Sequence, residues 1–254
     1  MTLNDSQLQQ FRRDGYLFLP GIIPDTTRDT AIQAINASIG EGMNVSDLPV
    51  FRSRGFCPDI SRTSVISDLV NATPILAMAE QMIGVGRVQP VVGGQVALRF
   101  PSLPTNPPTP PRPPGPHLDG MYTPTNGVQK GSIDNFTALV GVFLSHVPGD
   151  FCGNLTIWPG SHVKYAAYFR EKGAQALLDG MPPIDPGPGI QVKAKPGDAI
   201  IAHYLLGHGI TPNVSPHVRY ACFFRLRSVD LEQRRRETMQ DPWLDWDGMR
   251  DLSE

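Results

Sequence analysis

Cysteine is scarce in this chain: 254 residues carry three, Cys57, Cys152 and Cys222, far apart and without a C-x-x-C pair. That pattern fits neither a disulfide framework nor a zinc site, and reads as free buried thiols in a reducing, cytoplasmic setting. A surplus of one charge is also lacking, with 22 Lys and Arg against 24 Asp and Glu and a net charge of −2. Nothing basic enough for nucleic acid and no charged tail follows from that balance. The cluster Arg234-Arg235-Arg236 lies beside Glu232 and Glu237 and reads as the solvated face of a helix. No apolar run approaches the roughly 18 residues of a membrane span. The opening M-T-L-N-D-S-Q-L-Q-Q has neither the charged nor the apolar region of a signal peptide, so a cytoplasmic protein is expected. Internal repeats are absent too.

Proline and glycine, at 26 and 25 residues, are plentiful. They punctuate short segments whose pattern changes along the chain. Asp5 or Ser6 is placed to cap a helix to about Arg13, followed by a buried strand Tyr16-Leu17-Phe18-Leu19. Pro24 and Asp25 open a helix with Ala31, Ile32, Ile35 and Ile39 at helical spacing, ended by Gly40. Residues 43–62 show no period and read as a loop. Thr73-Pro74 starts a helix that stops at Gly84. From Val88 the pattern turns to strands: 88–92, 95–100, 136–147, 153–158, 190–194, 199–206 and 218–226. Two further helices are expected over 163–180 and 232–239. Between the strands, Pro101 to Pro116 holds nine prolines and can be neither helix nor central strand. It reads as a stiff loop over the rim of a barrel. Helices on the N-terminal side followed by many short strands predict a mainly β, jelly-roll architecture with flanking helices. One domain over 1–254 is expected, with a helical part to about 87, a core over about 88–230 and a C-terminal tail whose Trp243 and Trp246 pack back on the body.

Chemistry concentrates in two stretches, His117-Leu118-Asp119 and the segment H-G-I-T-P-N-V-S-P-H-V-R from His208 to Arg219. In an extended strand, His117 and Asp119 point to one face and can reach one ion. A third donor must come from a distant strand, and His208 is the candidate. Two histidines and one carboxylate are the set that holds non-haem Fe(II) on one face and leaves the other open. A 2-oxo acid can chelate two of the open positions and O₂ can take the last. Arg219, on the strand after His208, offers a fixed cation for the remote carboxylate of 2-oxoglutarate. An H-x-D triplet alone arises by chance. The triplet with a distant histidine and an arginine eleven residues beyond it is far more specific.

With these pieces, the chain resembles the phytanoyl-CoA dioxygenase family of Fe(II)/2-oxoglutarate oxygenases. Besides the triplet and the terminal H-G-x-x-x-N-x-x-x-x-x-R, the likeness includes F-R-R-D-G-Y-L-F-L-P-G (Phe11 to Gly21), G-N-L-T-I-W-P-G-S-H (Gly153 to His162) and K-P-G-D-A (Lys195 to Ala199). It implies a double-stranded β-helix of the cupin-like kind, metal ligation by His117, Asp119 and His208, and 2-oxoglutarate binding by Arg219. Asn213 then takes a structural turn role. Two departures stand out. Ile210 occupies the position where the family often has serine, and a small residue near Gly141 replaces an aromatic. Thr137 and Gln95 are the candidates for a further co-substrate contact. Related halogenases carry glycine or alanine at the position of Asp119, so a carboxylate there implies hydroxylation, desaturation or epoxidation.

The substrate is not written in the sequence. No basic groove suited to a coenzyme A phosphate stands out, which leaves a small molecule as the expectation. Arg52, Arg54, Arg99, Met121, Tyr122 and Trp158 are candidate pocket residues by position. His146, His162, His203 and His217 take structural readings; His203, five residues before His208, points to the opposite face. Two other functions compete: a cupin-like metal enzyme without a 2-oxo acid, against which Arg219 speaks, and a non-catalytic jelly-roll binding protein, against which an intact triad speaks.

Overall fold

The computed structural model describes residues 1–250 and 252, so the expected tail is seen to Arg250 and at Leu252, and its remaining positions lie outside the described residues. The N-terminal part holds α1 (Asp5–Asp14), β1 (Tyr16–Leu19), α2 (Asp25–Gly40), α3 (Leu48–Arg54), α4 (Ser64–Asn71) and α5 (Pro74–Ile83). Strands follow as β2 (Gln95–Arg99), β3 (Ala138–Phe143) and β4 (Leu155–Ile157), then α6 (Ser161–Lys172). β5 (Ile190–Gln191), β6 (Ala199–His203), β7 (His208–Ile210) and β8 (Arg219–Leu226) complete the sheets. Short helices α7 (Leu231–Arg234), α8 (Glu237–Gln240) and α9 (Asp247–Arg250) are the last elements among the described residues.

Two antiparallel sheets result. The larger has the order β1-β6-β3-β8-β2 and the smaller β5-β4-β7. The large sheet is apolar on both faces because each is covered. Ala138, Val140 and Val142 of β3, with Cys222, Phe224 and Leu226 of β8, join the helices in one core. Leu139 and Phe143, with Ala221 and Phe223, face the other way into a second core shared with the small sheet and α6. Strand alternation thus divides each strand between two cores. Sequence alone left the inward face of β3 open because both sides are apolar.

Local chemistry explains several boundaries. The cap of α1 is Asn4 rather than Asp5 or Ser6: its side chain accepts from Gln7 N while the Gln7 side chain accepts from Asn4 N. Two helices escaped the sequence reading. α3 has no buried residue and hence no apolar period, while α4, with Ile66, Leu69 and Val70 buried, is only eight residues long. Residues 88–92 do not form a strand; Val88 makes one isolated bridge to Ser228. The expected helix over 163–180 divides into α6 and a 3-10 segment Ala174–Asp179. The one expected over 232–239 becomes α7 and α8. The proline-rich 101–116 is irregular throughout.

The tail seals the helical side. Trp246 is buried against Phe11, with ring centroids 4.9 Å apart, and stacks on His203 at 5.2 Å. His203 accepts from Leu205 N at Nδ1, so its proton sits on Nε2, which donates to Pro242 O at 2.6 Å. This confirms its structural place. Burial pushes this imidazole down to about 3 and that of His162, 5.4 Å away, to about 4.

Unfolded, each histidine titrates near 6.5. Below that pH the unfolded chain binds protons that the fold refuses, so this stability is complete above 6.5 and drains away toward the folded values. For His203 the loss is about 2 kcal/mol by pH 5. Urea unfolding at pH 7 and pH 5 should register it, and His203→Gln should shrink the difference by about that amount. An undiminished difference in the variant would refute the assignment.

Candidate metal centre

His117 and His208 meet through the backbone. His117 N donates to His208 O at 2.9 Å and His208 N donates to His117 O at 3.1 Å. Such a reciprocal pair sets two residues directly opposite with their side chains on one face. The ring centroids lie 4.5 Å apart. Asp119 follows just past this bridge, at the start of a turn rather than in a strand. Its Oδ1 lies 3.5 Å from His117 Nε2 and 3.6 Å from His208 Nε2. The three donor atoms are all within 4.8 Å of one another.

The donor set suits a metal ion. Nδ1 of His208 lies 3.0 Å from Leu206 O, which fixes the proton there and leaves a lone pair on Nε2, the atom that faces Asp119. The carboxylate is divided between two tasks. Oδ1 faces the histidines, while Oδ2 accepts from Arg225 Nε at 2.9 Å and Nη2 at 2.7 Å. Burial works to raise the Asp119 carboxyl, but Arg225 and the two imidazoles outweigh it and hold it well below the ordinary carboxylate range. The main chain is pinned as well: the buried Tyr204 hydroxyl donates to Asp119 O at 3.1 Å.

A cavity of about 610 Å³ opens over these three residues, lined also by Arg219, Arg225, Gln95 and Ile210. Arg219 is 3 % exposed, and its Nε and Nη1 donate to Gly153 O and Ala97 O, each at 2.9 Å. Burial first, and then the charge of Arg99, push its guanidinium down to about 9, so it remains a cation at neutral pH that a buried anion would stabilise. Gly153 has φ +74°, and a Cβ there would meet Arg99 Cβ at 2.8 Å and Arg219 Cβ at 3.4 Å. Glycine at this point leaves room for the Arg99 stem, while the Arg219 stem would be in ordinary contact. Gly141 does the same for an aromatic: a Cβ on it would lie 2.8 Å from the ring of Phe223, which β8 brings across from the neighbouring strand.

The remaining sequence candidates divide. Gln95 lines the cavity with its amide engaged at both ends, accepting from Arg225 Nη1 at 3.1 Å and donating to Ser53 O at 3.2 Å. Thr137 lies elsewhere: it lines a separate small recess with His203, and its hydroxyl accepts from Ser228 N at 2.9 Å. The expectation of a co-substrate contact at Thr137 is therefore corrected; the alternation of β3 begins one residue later and the preceding residue is committed to the turn at Ser228. Arg52, Arg99, Met121 and Tyr122 face the cavity. Arg54 and Trp158 do not line it: Arg54 donates to Thr125 O, and the Trp158 ring packs against Gly189. Asn213 folds its turn, donating to His217 O and Arg99 O and accepting from Ser215 N.

Arg225 was missed in the sequence. A lone arginine in an apolar strand carries no motif, but period two from Arg219 passes through Ala221 and Phe223 to Arg225, and that parity would have found it.

No family model matches the chain, and no curated protein matches its sequence. Solved structures do match in fold. The non-heme alpha ketoglutarate dependent carbocyclase SnoK from nogalamycin biosynthesis is 18% identical with a TM-score of 0.57, over 92% of this chain and 90% of that one. HygX from Streptomyces hygroscopicus, with nickel and 2-oxoglutarate bound, is 17% identical with a TM-score of 0.53, over 89% and 88%. EctD from S. alaskensis, with 2-oxoglutarate and 5-hydroxyectoine, is 16% identical with a TM-score of 0.55, over 90% and 77%. At these identities the likeness is one of fold: antiparallel sheets with flanking helices, shared over nearly the whole chain. Among the described residues no helix is long and apolar enough to cross a membrane.

The grip of Arg225 on Asp119 gives a direct expectation. Arg225→Gln should weaken Co(II) binding roughly 10- to 100-fold, as loss of a group orienting a metal ligand does. A competition titration with a coloured chelator measures it, and unchanged affinity would count against the role.

Proposed function

We propose that this chain is a single-domain, Fe(II)- and 2-oxoglutarate-dependent oxygenase of the double-stranded β-helix kind, akin to the phytanoyl-CoA dioxygenase family. It oxidises, most simply hydroxylates, a C–H bond of a small organic substrate. The observation that carries this reading is the convergence of His117, Asp119 and His208 in a cavity that also holds the buried Arg219. When bound, the metal, the 2-oxo acid and O₂ supply the oxidising power, with succinate and CO₂ as by-products. The bound cofactors of HygX and EctD support the same assignment.

The chain's own residues bind, orient and exclude water. His117 and His208 present nitrogen donors, and Asp119 adds one oxygen while Arg225 holds the other. Arg219, anchored by two backbone carbonyls, keeps a guanidinium edge for the distal carboxylate of the co-substrate. Ile210 stands in the cavity wall where the resembling family often has serine, so Arg219 makes its contact without a hydroxyl from that position. Leu139, Leu155 and Phe223 make the surrounding wall apolar, which limits water near the reacting centre. The carboxylate of Asp119 would supply one ligand to the metal, which favours hydroxylation over halogenation.

Anaerobic addition of Fe(II) and 2-oxoglutarate should give the visible charge-transfer band of the chelate; its absence from folded protein would remove the assignment. Arg219→Ala should weaken 2-oxoglutarate at least tenfold more than it weakens iron, and equal loss of both would point to misfolding instead. Asp119→Ala should abolish succinate formation, and undiminished turnover would refute its ligand role.

A further inference from the structure

The charges lining the main cavity do not balance. Four guanidinium groups, Arg52, Arg99, Arg219 and Arg225, face a single carboxylate, Asp119. Arg225 is spent on that carboxylate, and Arg219 is fastened by two carbonyls. Arg52 and Arg99 have no hydrogen-bond or ion-pair partner for their guanidinium groups among the described residues. A divalent metal and a 2-oxoglutarate dianion add equal and opposite charge, so filling the site as proposed above leaves the same excess of three positive charges. Burial, and then the charge of Arg52, lower the Arg99 guanidinium from its usual value. Arg99 also stands directly across from Arg219 in the β2–β8 register. Two cations side by side in a half-closed cavity are unfavourable until each meets an anion.

Arg52 and Arg99 belong to two spaces at once. Both line the main cavity, and both line an adjoining recess of about 270 Å³ edged by Ser102, Thr211 and Asn213. The junction therefore carries two cations, with Leu98 and Ile210 as its apolar neighbours in both spaces. Phe56, Met121 and Tyr122 line the main cavity alone, the space that also holds His117. A site that is charged at one end and apolar along its length suits an organic molecule with an oxyanion head.

We propose that the primary substrate is an organic oxyanion, a carboxylate or a phosphate ester, whose head is held by Arg52 and Arg99 while its less polar body extends along Phe56, Met121 and Tyr122 toward the metal centre. This rests on the reading that the metal and Arg219 take the 2-oxo acid. It assigns the two arginines to a second anion, separate from the co-substrate. Arg52 comes from α3 and Arg99 from β2, so the head bridges the helical layer and the large sheet. Their charges act on binding and orientation and leave the chemistry to the metal centre.

Calorimetry on the full chain loaded with Co(II) and N-oxalylglycine, an unreactive analogue of 2-oxoglutarate, tests this without turnover. Benzoate, phenyl phosphate and neutral benzamide are the probes. One or both anions should bind saturably at one per chain, at least tenfold more tightly than benzamide; preference for either anion supports the proposal and names the head group. Arg52→Gln and Arg99→Gln should each weaken that anion tenfold or more while changing the affinity for N-oxalylglycine less than threefold. Arg52 lies on the exposed face of a short helix, so its variant keeps the fold even if the Arg99 variant does not. Failure of both anions to bind the loaded protein, equal binding of benzamide, or indifference to both substitutions overturns the proposal. So does a loss of N-oxalylglycine affinity as large as the loss of anion affinity, which would give Arg99 to the co-substrate. If N-oxalylglycine does not bind the Co(II) protein at all, the reading of the metal centre fails first, and this proposal falls with it.

Discussion

Two backbone hydrogen bonds between His117 and His208 hold the centre of this molecule together. They join positions 91 residues apart and set both imidazoles on the same side of a sheet edge. A slip of one residue in that pairing would turn a ring to the opposite face and scatter the donors. Three contacts near the bridge hold the groups in place once that register is set. Tyr204 holds the Asp119 carbonyl, Arg225 holds its carboxylate, and Leu206 O orients the His208 ring. The bridge makes the convergence, and these contacts fix its orientation.

The large sheet gives this centre a rigid back wall. Each of its strands serves two cores, and β8 shows the consequence most clearly. Cys222, Phe224 and Leu226 pack among the helices, while Arg219, Phe223 and Arg225 face the cavity and Ala221 packs in the second core. Strand β8 therefore presents two cations to a cavity while its other face is anchored in hydrocarbon. The turns are held by side chains rather than by more sheet. Asp198 accepts from Gly21 N and Lys195 N, and Asn154 donates to Gly149 O and Val192 O. Much of the sequence likeness noted at K-P-G-D-A and G-N-L-T-I-W is thus carried by residues that fasten loops.

The parts of the site legible in the sequence were those with fixed spacing. His117 and Asp119 lie two apart, His208 and Arg219 eleven apart, and those intervals follow from strand and turn geometry. Strands with strong apolar runs, such as β3, β6 and β8, were equally plain. What escaped was whatever depends on partners far away in the chain. Arg225 acquires its meaning only from Asp119, 106 residues before it. The helix carrying Arg52 has no buried residue, so no periodicity betrays it. Thr137 looked suitable by its polarity in an apolar strand, yet Ser228 N had claimed its hydroxyl. Local pattern reveals which residues can do chemistry; tertiary pairing decides which of them are free to do it.

The proline-rich approach to His117 bears on how the molecule meets its neighbours. Nine of its sixteen residues have no amide hydrogen to donate. Such a segment cannot zip onto the margin of the small sheet beyond the histidine pair, nor can it offer a docking strand to another molecule. The chain thus reaches the cavity rim, which Pro114 lines, as irregular backbone rather than as one more strand of the sheet.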